Sequence, residues 1–240
     1  MRDKDLQQTS RRNFLGTLAT GAATISAASL APLSAGAKKI SENFQRDDDP
    51  DAWFNQIKGK HRIVFDATQP HEVFPFAWPA VFLMTNEATG TPSKENTVVV
   101  ILRHNAIPYA FEDRLWAKYN FGEVFKASEI GPAFKAADYK TAASVRNPFW
   151  KPKMGDFQVP GIGSVAIGIN DLQEQGVMFC VCNAAITVYS TAISQGMNMS
   201  PEEVKKDWLA GLLPGIQVVP SGVWAVGRAQ EHGCAYCFAG

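Results

Sequence analysis

The sequence lacks the short motifs that usually mark nucleotide-binding, zinc-protease and serine-hydrolase sites. It contains no G-x-G-x-x-G dinucleotide fingerprint, no phosphate-binding loop ending in G-K-[ST], no H-E-x-x-H and no G-x-S-x-G. Each of these motifs places particular side chains or glycines where the chemistry of its class needs them. Their absence leaves a site that side chains from separate parts of the chain must build.

The chain also has no excess of charge of either sign, because 23 lysine and arginine residues balance 23 aspartate and glutamate residues. A nucleic-acid-binding domain usually carries a clustered basic surface, which this composition does not provide. We therefore expect no nucleic-acid partner. After residue 37 the sequence has no internal repeat and no low-complexity segment, which favours one globular domain with its own core.

The first 37 residues have the pattern of an export signal. Residues 10–15 place an arginine pair before a phenylalanine and a leucine, residues 16–33 are small and uncharged, and residues 35–37 read Ala-Gly-Ala. This order is typical of twin-arginine signal peptides. The alternative is a retained membrane anchor, which would need about 20 strongly apolar residues. We expect export by the twin-arginine translocase, cleavage after residue 37 and a periplasmic protein.

The mature chain is expected to consist of a linker and one domain. Residues 38–59 contain the charged tract Arg46–Asp51 and are interpreted as a solvated linker. Residues 60–240 form the domain. Within it, residues 126–160 interrupt the regular pattern, because their prolines exclude a long helix or strand.

Alternating strand and helix patterns in the domain predict its fold class. Residues 97–102 are apolar on both faces, as in a parallel strand that is covered on both sides. Ser200 and Glu203 have the spacing of a capping box at a helix start. The expected strands are 61–66, 97–102, 177–182, 216–219 and 234–238, and the expected helices are 74–88, 111–119, 162–175, 184–195, 201–213 and 223–232. This succession indicates a single doubly wound, three-layer α/β domain with a mainly parallel five-stranded sheet.

The four cysteines, Cys180, Cys182, Cys234 and Cys237, are expected to be free thiols. In a strand, Cys234 and Cys237 would lie about 10 Å apart on opposite faces, whereas a disulfide needs Cα atoms within about 7 Å. Cys180 and Cys182 would share a face at the limit of that distance. A redox Cys-x-x-Cys motif opens a helix, but here the pair lies in a predicted strand.

Ligands of doubly wound sheets bind beyond the carboxyl ends of the strands, so residues that follow each strand are candidate site residues. These candidates are His71, His104, Tyr109, Cys182, Asn183 and Ser221. Ordinary structural roles are the alternative: Asn183 and Ser221 could be helix N-caps, and Cys182 a buried apolar residue. The histidines could be exposed or bonded to a carbonyl. Convergence of all six on one edge is what indicates a pocket.

Cys182 has one further property, because it lies where a strand passes into a helix. The N-terminus of that helix would stabilise a thiolate, and a protonated His104 would do the same. Thiolates are the reactive form in nucleophilic sulfur chemistry. Cys182 and His104 are therefore the predicted catalytic pair, and the other four candidates are predicted to bind substrate. We expect no metal and no cofactor at the site.

Several segments carry a resemblance to a known family: residues 176–185 (GVMFCVCNAA), 213–216 (LPGI), 219–223 (VPSGV), 230–233 (QEHG) and 98–107, which contains His104 and Ala106. They resemble the DsrE/DsrF-like family of small α/β proteins in sulfur oxidation and sulfur relay. The resemblance implies that the cysteine matched by Cys182 receives sulfur as a persulfide. It also implies a homo-oligomer and a sulfur-donor protein as partners. Relative to the family, residues 126–160 are an insertion.

Three functions stay open at this point. The first is an exported sulfur-handling protein with Cys182 as the sulfur acceptor. The second is a non-catalytic module that holds a small ligand or a metal through His71, His104 and Cys182. The third is a structural subunit of an exported complex. In the inserted segment, Phe149 and Trp150 would either cover the site as a lid or contact another subunit.

Overall fold

The computed structural model describes residues 49, 51–133, 135 and 145–240, and its centre is a five-stranded parallel sheet. The described strands are β1 (His61–Ala67), β2 (Asn96–Leu102), β3 (Gln158–Val159), β4 (Gly163–Ser164), β5 (Met178–Cys182), β6 (Ile216–Val219) and β7 (Ala235–Phe238). The parallel sheet has the order β6-β5-β2-β1-β7, and β3 and β4 form a separate antiparallel pair. The predicted single α/β domain with a five-stranded sheet is confirmed.

Helices connect the strands and cover both faces of the sheet. The described α-helices are α1 (Phe74–Ala88), α2 (Asp113–Tyr119), α3 (Phe121–Val124), α4 (Ile169–Glu174), α5 (Asn183–Ser194), α6 (Pro201–Ala210) and α7 (Gly222–Glu231). Short 3-10 helices cover Ala52–Gln56, Ser93–Glu95 and His104–Ala110. No helix in the described ranges combines the length and apolarity that crossing a membrane requires.

The direction of the chain explains how the helices divide between the faces. From β1 the chain moves through β2 and β5 to β6 in one direction, and then returns to place β7 beside β1. Right-handed crossovers therefore put α1 to α6 on one face and α7 on the other. The larger core cluster contains Phe65 and Phe179, whereas the smaller one contains their strand neighbours Val64 and Cys180 together with Ala225 of α7.

One predicted helix is wrong in its first half. Residues 162–175 were expected to be helical, but Gly163 and Ser164 form β4 and the helix begins only at Ile169. Gly161 and Gly163 have φ angles of 82° and 93°, which turn the chain back on itself. Val165 and Ile167 still pack on the core from an irregular segment, so their apolar spacing resembled that of a helix.

The end of the predicted linker packs on the domain. Phe54 is fully buried in the 3-10 helix Ala52–Gln56, where its ring lies 5.6 Å from that of Trp224, edge to face. Asp51 forms an ion pair with Arg228 of α7 at 2.9 Å. Residues 51–57 therefore cover the α7 face of the domain rather than forming a solvated linker. The signal over residues 1–37, and residues 38–48 and 50 of the predicted linker, lie outside the described residues.

The inserted segment contributes to the core. Phe149 is fully buried and stacks on Phe76 of α1 with 4.0 Å between ring centroids. Asn147 is also fully buried, and its amide donates to the carbonyl oxygens of Tyr109 at 2.8 Å and Phe111 at 3.0 Å. A lid or a subunit contact formed by Phe149 is therefore a wrong prediction, because the ring fills the space beside α1.

Candidate functional site

The reversal of strand order places a topological switch point between the carboxyl ends of β5 and β6, which is where doubly wound sheets form a crevice. Helix α5 leaves β5 toward one face of the sheet and α7 leaves β6 toward the other. Doubly wound sheets bind ligands where neighbouring connections diverge in this way. Cys182 ends β5 and Ser221 follows β6, and the N–H of Ala184 donates to the carbonyl oxygen of Pro220 across the crevice at 3.2 Å.

Cys182 is the N-cap of α5. Its backbone is extended, with φ −74° and ψ 107°, and its Sγ accepts a hydrogen bond from the N–H of Ala185 at 3.3 Å. Oxygen-bearing side chains usually hold this position. The positive end of the helix dipole faces the sulfur, which is an environment that stabilises negative charge. With 6% of its surface exposed, the residue lies just beneath the surface of the crevice.

The two predicted N-caps have different outcomes. Ser221 does cap α7, since its Oγ accepts a hydrogen bond from the N–H of Trp224 at 3.2 Å. Asn183 is not a cap: it is the first residue of α5 and is buried, and the capping atom is the sulfur of Cys182. The helix begins one residue earlier than expected, which shifts the cap from the amide to the thiol.

His104 lies beside the second turn of α5 rather than at Cys182. Its ring contacts the ring of Tyr189, edge to face, with 5.9 Å between centroids. Tyr189 is about 10 Å along the helix axis from Cys182. The two predicted catalytic residues, both in the described part of the chain, share no hydrogen bond.

The surroundings of His104 shift its pKa. Burial lowers the pKa of His104, the positive charge of Arg103 lowers it further, and the backbone of Thr68 opposes the shift only in part. The lowered pKa favours the neutral imidazole and disfavours the protonated ring that would stabilise a thiolate. The surroundings of His104 therefore do not support its predicted part in stabilising a thiolate.

The lowered pKa of His104 predicts that acid destabilises the protein. An imidazole with a lowered pKa takes up its proton more readily after unfolding, so the free energy of unfolding should fall as the pH drops below about 6.5. His104→Asn should flatten this part of the pH profile, and asparagine tolerates the φ of 50° at this position. Urea unfolding above and below that pH measures the effect. Parallel profiles for the two proteins would contradict it.

His71 and Tyr109 lie away from the crevice. His71 is exposed at the start of α1, with its ring 5.0 Å from that of Phe74. It follows β1, which is two strands or about 10 Å from β5. Tyr109 is fully buried, its hydroxyl donates to the carbonyl oxygen of Ala127 at 3.5 Å, and burial raises the pKa of that hydroxyl. Tyr109 is a core residue, so its predicted substrate-binding role is wrong.

Sequence reasoning missed a buried ion pair at the same edge of the sheet. Asp66 at the end of β1 is 2% exposed and accepts hydrogen bonds from Nε and Nη2 of Arg103 at 2.6 and 2.9 Å. The hydroxyl of Tyr236 donates to the same carboxylate at 2.9 Å. The hydrogen bond to Asp66 raises the pKa of Arg103, with smaller contributions from Tyr236 and Cys182. Opposite charges at the ends of adjacent predicted strands were the signal that could have revealed this pair.

The parallel register brings Arg103 to Cys182. Leu102 pairs with Val181, so the next residues along β2 and β5 are Arg103 and Cys182. Neighbouring strands lie about 4.8 Å apart. Arg103 therefore lies opposite Cys182 on the neighbouring strand, and the Cys182 thiol is among the groups that interact electrostatically with it.

The four cysteines are free thiols, as predicted. Cys180 is fully buried and burial raises its pKa well above the ordinary value, while burial raises the pKa of Cys234 to about 11. Cys237 is half-buried, and burial raises its pKa as well. Among these four thiols, only that of Cys182 caps a helix.

A metal site formed by His71, His104 and Cys182 has no support. In the parts of the chain that the structure describes, no group of three or more His, Cys, Asp and Glu side chains could hold a metal ion. The positions of His71 beyond β1 and His104 beside α5 explain why these three side chains do not converge.

Comparisons with known proteins assign no family. No family model and no curated protein matches the chain. A similar solved structure is that of a protein of unknown function, MTH1491 from Methanobacterium thermoautotrophicum, which is 16% identical. The match covers 75% of this chain and 99% of that chain with a TM-score of 0.38.

Proposed function

We propose that this protein is an exported sulfur-handling protein in which Cys182 accepts sulfur and holds it as a persulfide. The observation that carries the proposal is the N-cap position of Cys182, with Sγ 3.3 Å from the N–H of Ala185. A thiolate or a persulfide anion at this atom would be stabilised by the positive end of α5. The resemblance of residues 176–185 to the DsrE/DsrF-like family supports the same role.

Three surrounding residues have distinct parts in this proposal. Arg103 supplies positive charge beside Cys182, and Ser221 keeps the start of α7 in place next to the crevice. His104 packs against Tyr189, and its lowered pKa disfavours the protonated form that would stabilise the thiolate.

Export and assembly are part of the proposal. The twin-arginine pattern of residues 1–37 supports a periplasmic location. The mass of the exported protein tests this, because it shows whether the signal has been cleaved. A cytoplasmic chain that still begins at Met1 would contradict it. Homo-oligomerisation and a sulfur-donor protein are further expectations, and sedimentation and copurification test them. A stoichiometric partner from which the protein does not separate would instead favour the structural-subunit alternative.

Equal exposure of Cys182 and Cys234 provides an internal control for thiol reactivity. Each residue is 6% exposed, but Cys234 follows the C-terminal end of α7, where its N–H donates to the carbonyl oxygen of Ala229. We expect iodoacetamide to label Cys182 at least about tenfold faster, because the two helix ends affect a thiolate in opposite directions. Peptide mass spectrometry after partial labelling measures both rates in one sample. Similar rates would contradict the capping argument.

Sulfur transfer tests the proposal itself. After incubation with a low-molecular-weight persulfide, the peptide that contains Cys182 should gain the mass of one sulfur atom. Cys182→Ser is the matched variant, because serine keeps a capping atom at the start of α5 and the domain should stay folded. It should gain no sulfur. Sulfur on the more exposed Cys237 in preference to Cys182, or on neither cysteine, would overturn the proposal.

A further inference from the structure

Arg103, at the edge of the crevice, has hydrogen-bond donors that the protein does not use. A guanidinium carries five N–H donors. Nε and Nη2 of Arg103 donate hydrogen bonds to the carboxylate of Asp66. In the described part of the protein, Nη1 of Arg103 has no hydrogen-bond partner. The side chain is 26% exposed, so a ligand can reach it.

The surroundings hold this side chain in one orientation. The carboxylate of Asp66 binds it through two parallel hydrogen bonds, a geometry that also fixes the plane of the guanidinium. Gly222, the first residue of α7, packs against the aliphatic part, where a Cβ would lie 2.5 Å from the Cβ of Arg103 and 2.6 Å from its Cδ. Glycine at this position therefore lets the start of α7 approach Arg103 closely.

An arginine that is fixed on one side and free on the other is suited to bind an anion. Guanidinium groups match planar and tetrahedral oxyanions through paired N–H donors. The strand register places Arg103 opposite Cys182, where sulfur would be accepted, and the thiol interacts electrostatically with the guanidinium. Any anion bound by Nη1 would thus lie close to the reacting sulfur.

We propose that Arg103 recognises the anionic group of the sulfur donor at Cys182, so that the site selects donors that carry an oxyanion, such as thiosulfate. The inference rests on the proposed function of Cys182 as a sulfur acceptor. Arg103 acts here as a specificity-determining residue, because the strand register places it opposite Cys182.

The corresponding transfer is balanced without a further oxidant. The Cys182 thiolate attacks the outer sulfur of thiosulfate, and a bond forms between Sγ and that sulfur. The bond from the outer sulfur to the sulfonate sulfur breaks, and its electron pair leaves with the sulfonate as sulfite. The thiolate sulfur is oxidised, the sulfonate sulfur is reduced, and no proton is gained or lost. Arg103 would hold the sulfonate oxygens during this step.

Two alkylating reagents of similar size and different charge test the inference on the full protein. The rate with anionic iodoacetate divided by the rate with neutral iodoacetamide should be about tenfold higher at Cys182 than at Cys237 at low ionic strength. The difference should shrink as salt is added. Equal ratios at the two cysteines of the wild-type protein would overturn the role of Arg103.

A pair of variants identifies the residue responsible. Arg103→Gln combined with Asp66→Asn removes both charges and leaves no unpaired buried carboxylate, so this protein is expected to fold. In this double variant, the ratio of the iodoacetate rate to the iodoacetamide rate at Cys182 should fall to the value at Cys237. Arg114→Gln removes an arginine that is paired with Asp207 on α6, and should leave the ratio unchanged. A ratio that persists without Arg103 would overturn the inference, and the wild-type comparison decides it if the double variant does not fold.

The two proposals fail in different ways. If Cys182 gains sulfur from a low-molecular-weight persulfide but shows no preference for iodoacetate, the proposed function stands and Arg103 does not recognise anions. If Cys182 gains sulfur from neither the persulfide nor thiosulfate, the proposed function itself is wrong. Faster sulfur gain from thiosulfate in the wild type than in the double variant supports both.

Discussion

Replacing Arg103 with methionine should lower the free energy of unfolding by about 3–5 kcal/mol, because it leaves a buried carboxylate without its cation. Asp66 is 2% exposed, and the remaining hydrogen bond from the Tyr236 hydroxyl does not neutralise its charge. Methionine keeps much of the aliphatic contact with Gly222. Urea unfolding near neutral pH measures the loss.

The companion variant separates charge from packing. Adding Asp66→Asn to Arg103→Met removes the unpaired charge, so the double variant should regain much of the lost stability. The coupling between the two positions is then read from a double-mutant cycle. A loss below about 1 kcal/mol for Arg103→Met would be typical of a solvent-exposed pair, and would contradict the view that Asp66 is shielded.

Phe149→Ala should cost about 3–5 kcal/mol, as expected for deletion of a fully buried aromatic ring. Its ring stacks on Phe76 at 4.0 Å and on Phe157 at 5.1 Å, so the truncation would leave a cavity inside the core. Trp150→Ala is the matched control. The ring of Trp150 is only half-buried, so its removal should lower the free energy of unfolding by less than the removal of Phe149 does. Thermal and urea unfolding of both variants gives the comparison.

The same variant distinguishes a core residue from a lid. A lid residue would affect the labelling of Cys182 and leave the stability nearly unchanged. Because Asn147 fastens this segment to the carbonyl oxygens of Tyr109 and Phe111, we expect the opposite: a large loss of stability in Phe149→Ala. Unchanged stability with faster labelling of Cys182 would restore the lid interpretation.

Local patterns predicted the regular elements well because each depends on nearby residues. The five strands of the main sheet lie within one residue of the expected bounds. The capping box also forms, with the Ser200 N–H donating to Glu203 Oε2 at 2.7 Å and the Glu203 N–H donating to Ser200 Oγ at 3.2 Å. The spacing of apolar residues and the hydrogen bonds between near neighbours in the chain can be predicted without knowing the fold.

The errors at the site arose where a local pattern has two explanations. Tyr109 follows a strand and so was placed at the rim, but the 3-10 helix His104–Ala110 turns it into the core. Asn183 is a common N-cap residue type, yet a shift of one residue gives the cap to Cys182. His104 was predicted to stabilise a thiolate if it were protonated, but its burial lowers its pKa and disfavours that form.

By itself, the sequence determined the α/β class, the strands and the position of Cys182 at a strand-to-helix junction, since these follow from periodicity and from neighbours in the chain. Only the tertiary structure decided the strand order, and hence that Cys182 lies in the crevice between diverging helices. It also decided that Arg103, fixed by Asp66, lies opposite Cys182 on the neighbouring strand. The reason is physical: charge state and proximity depend on burial and on strand register, which join residues far apart in the chain.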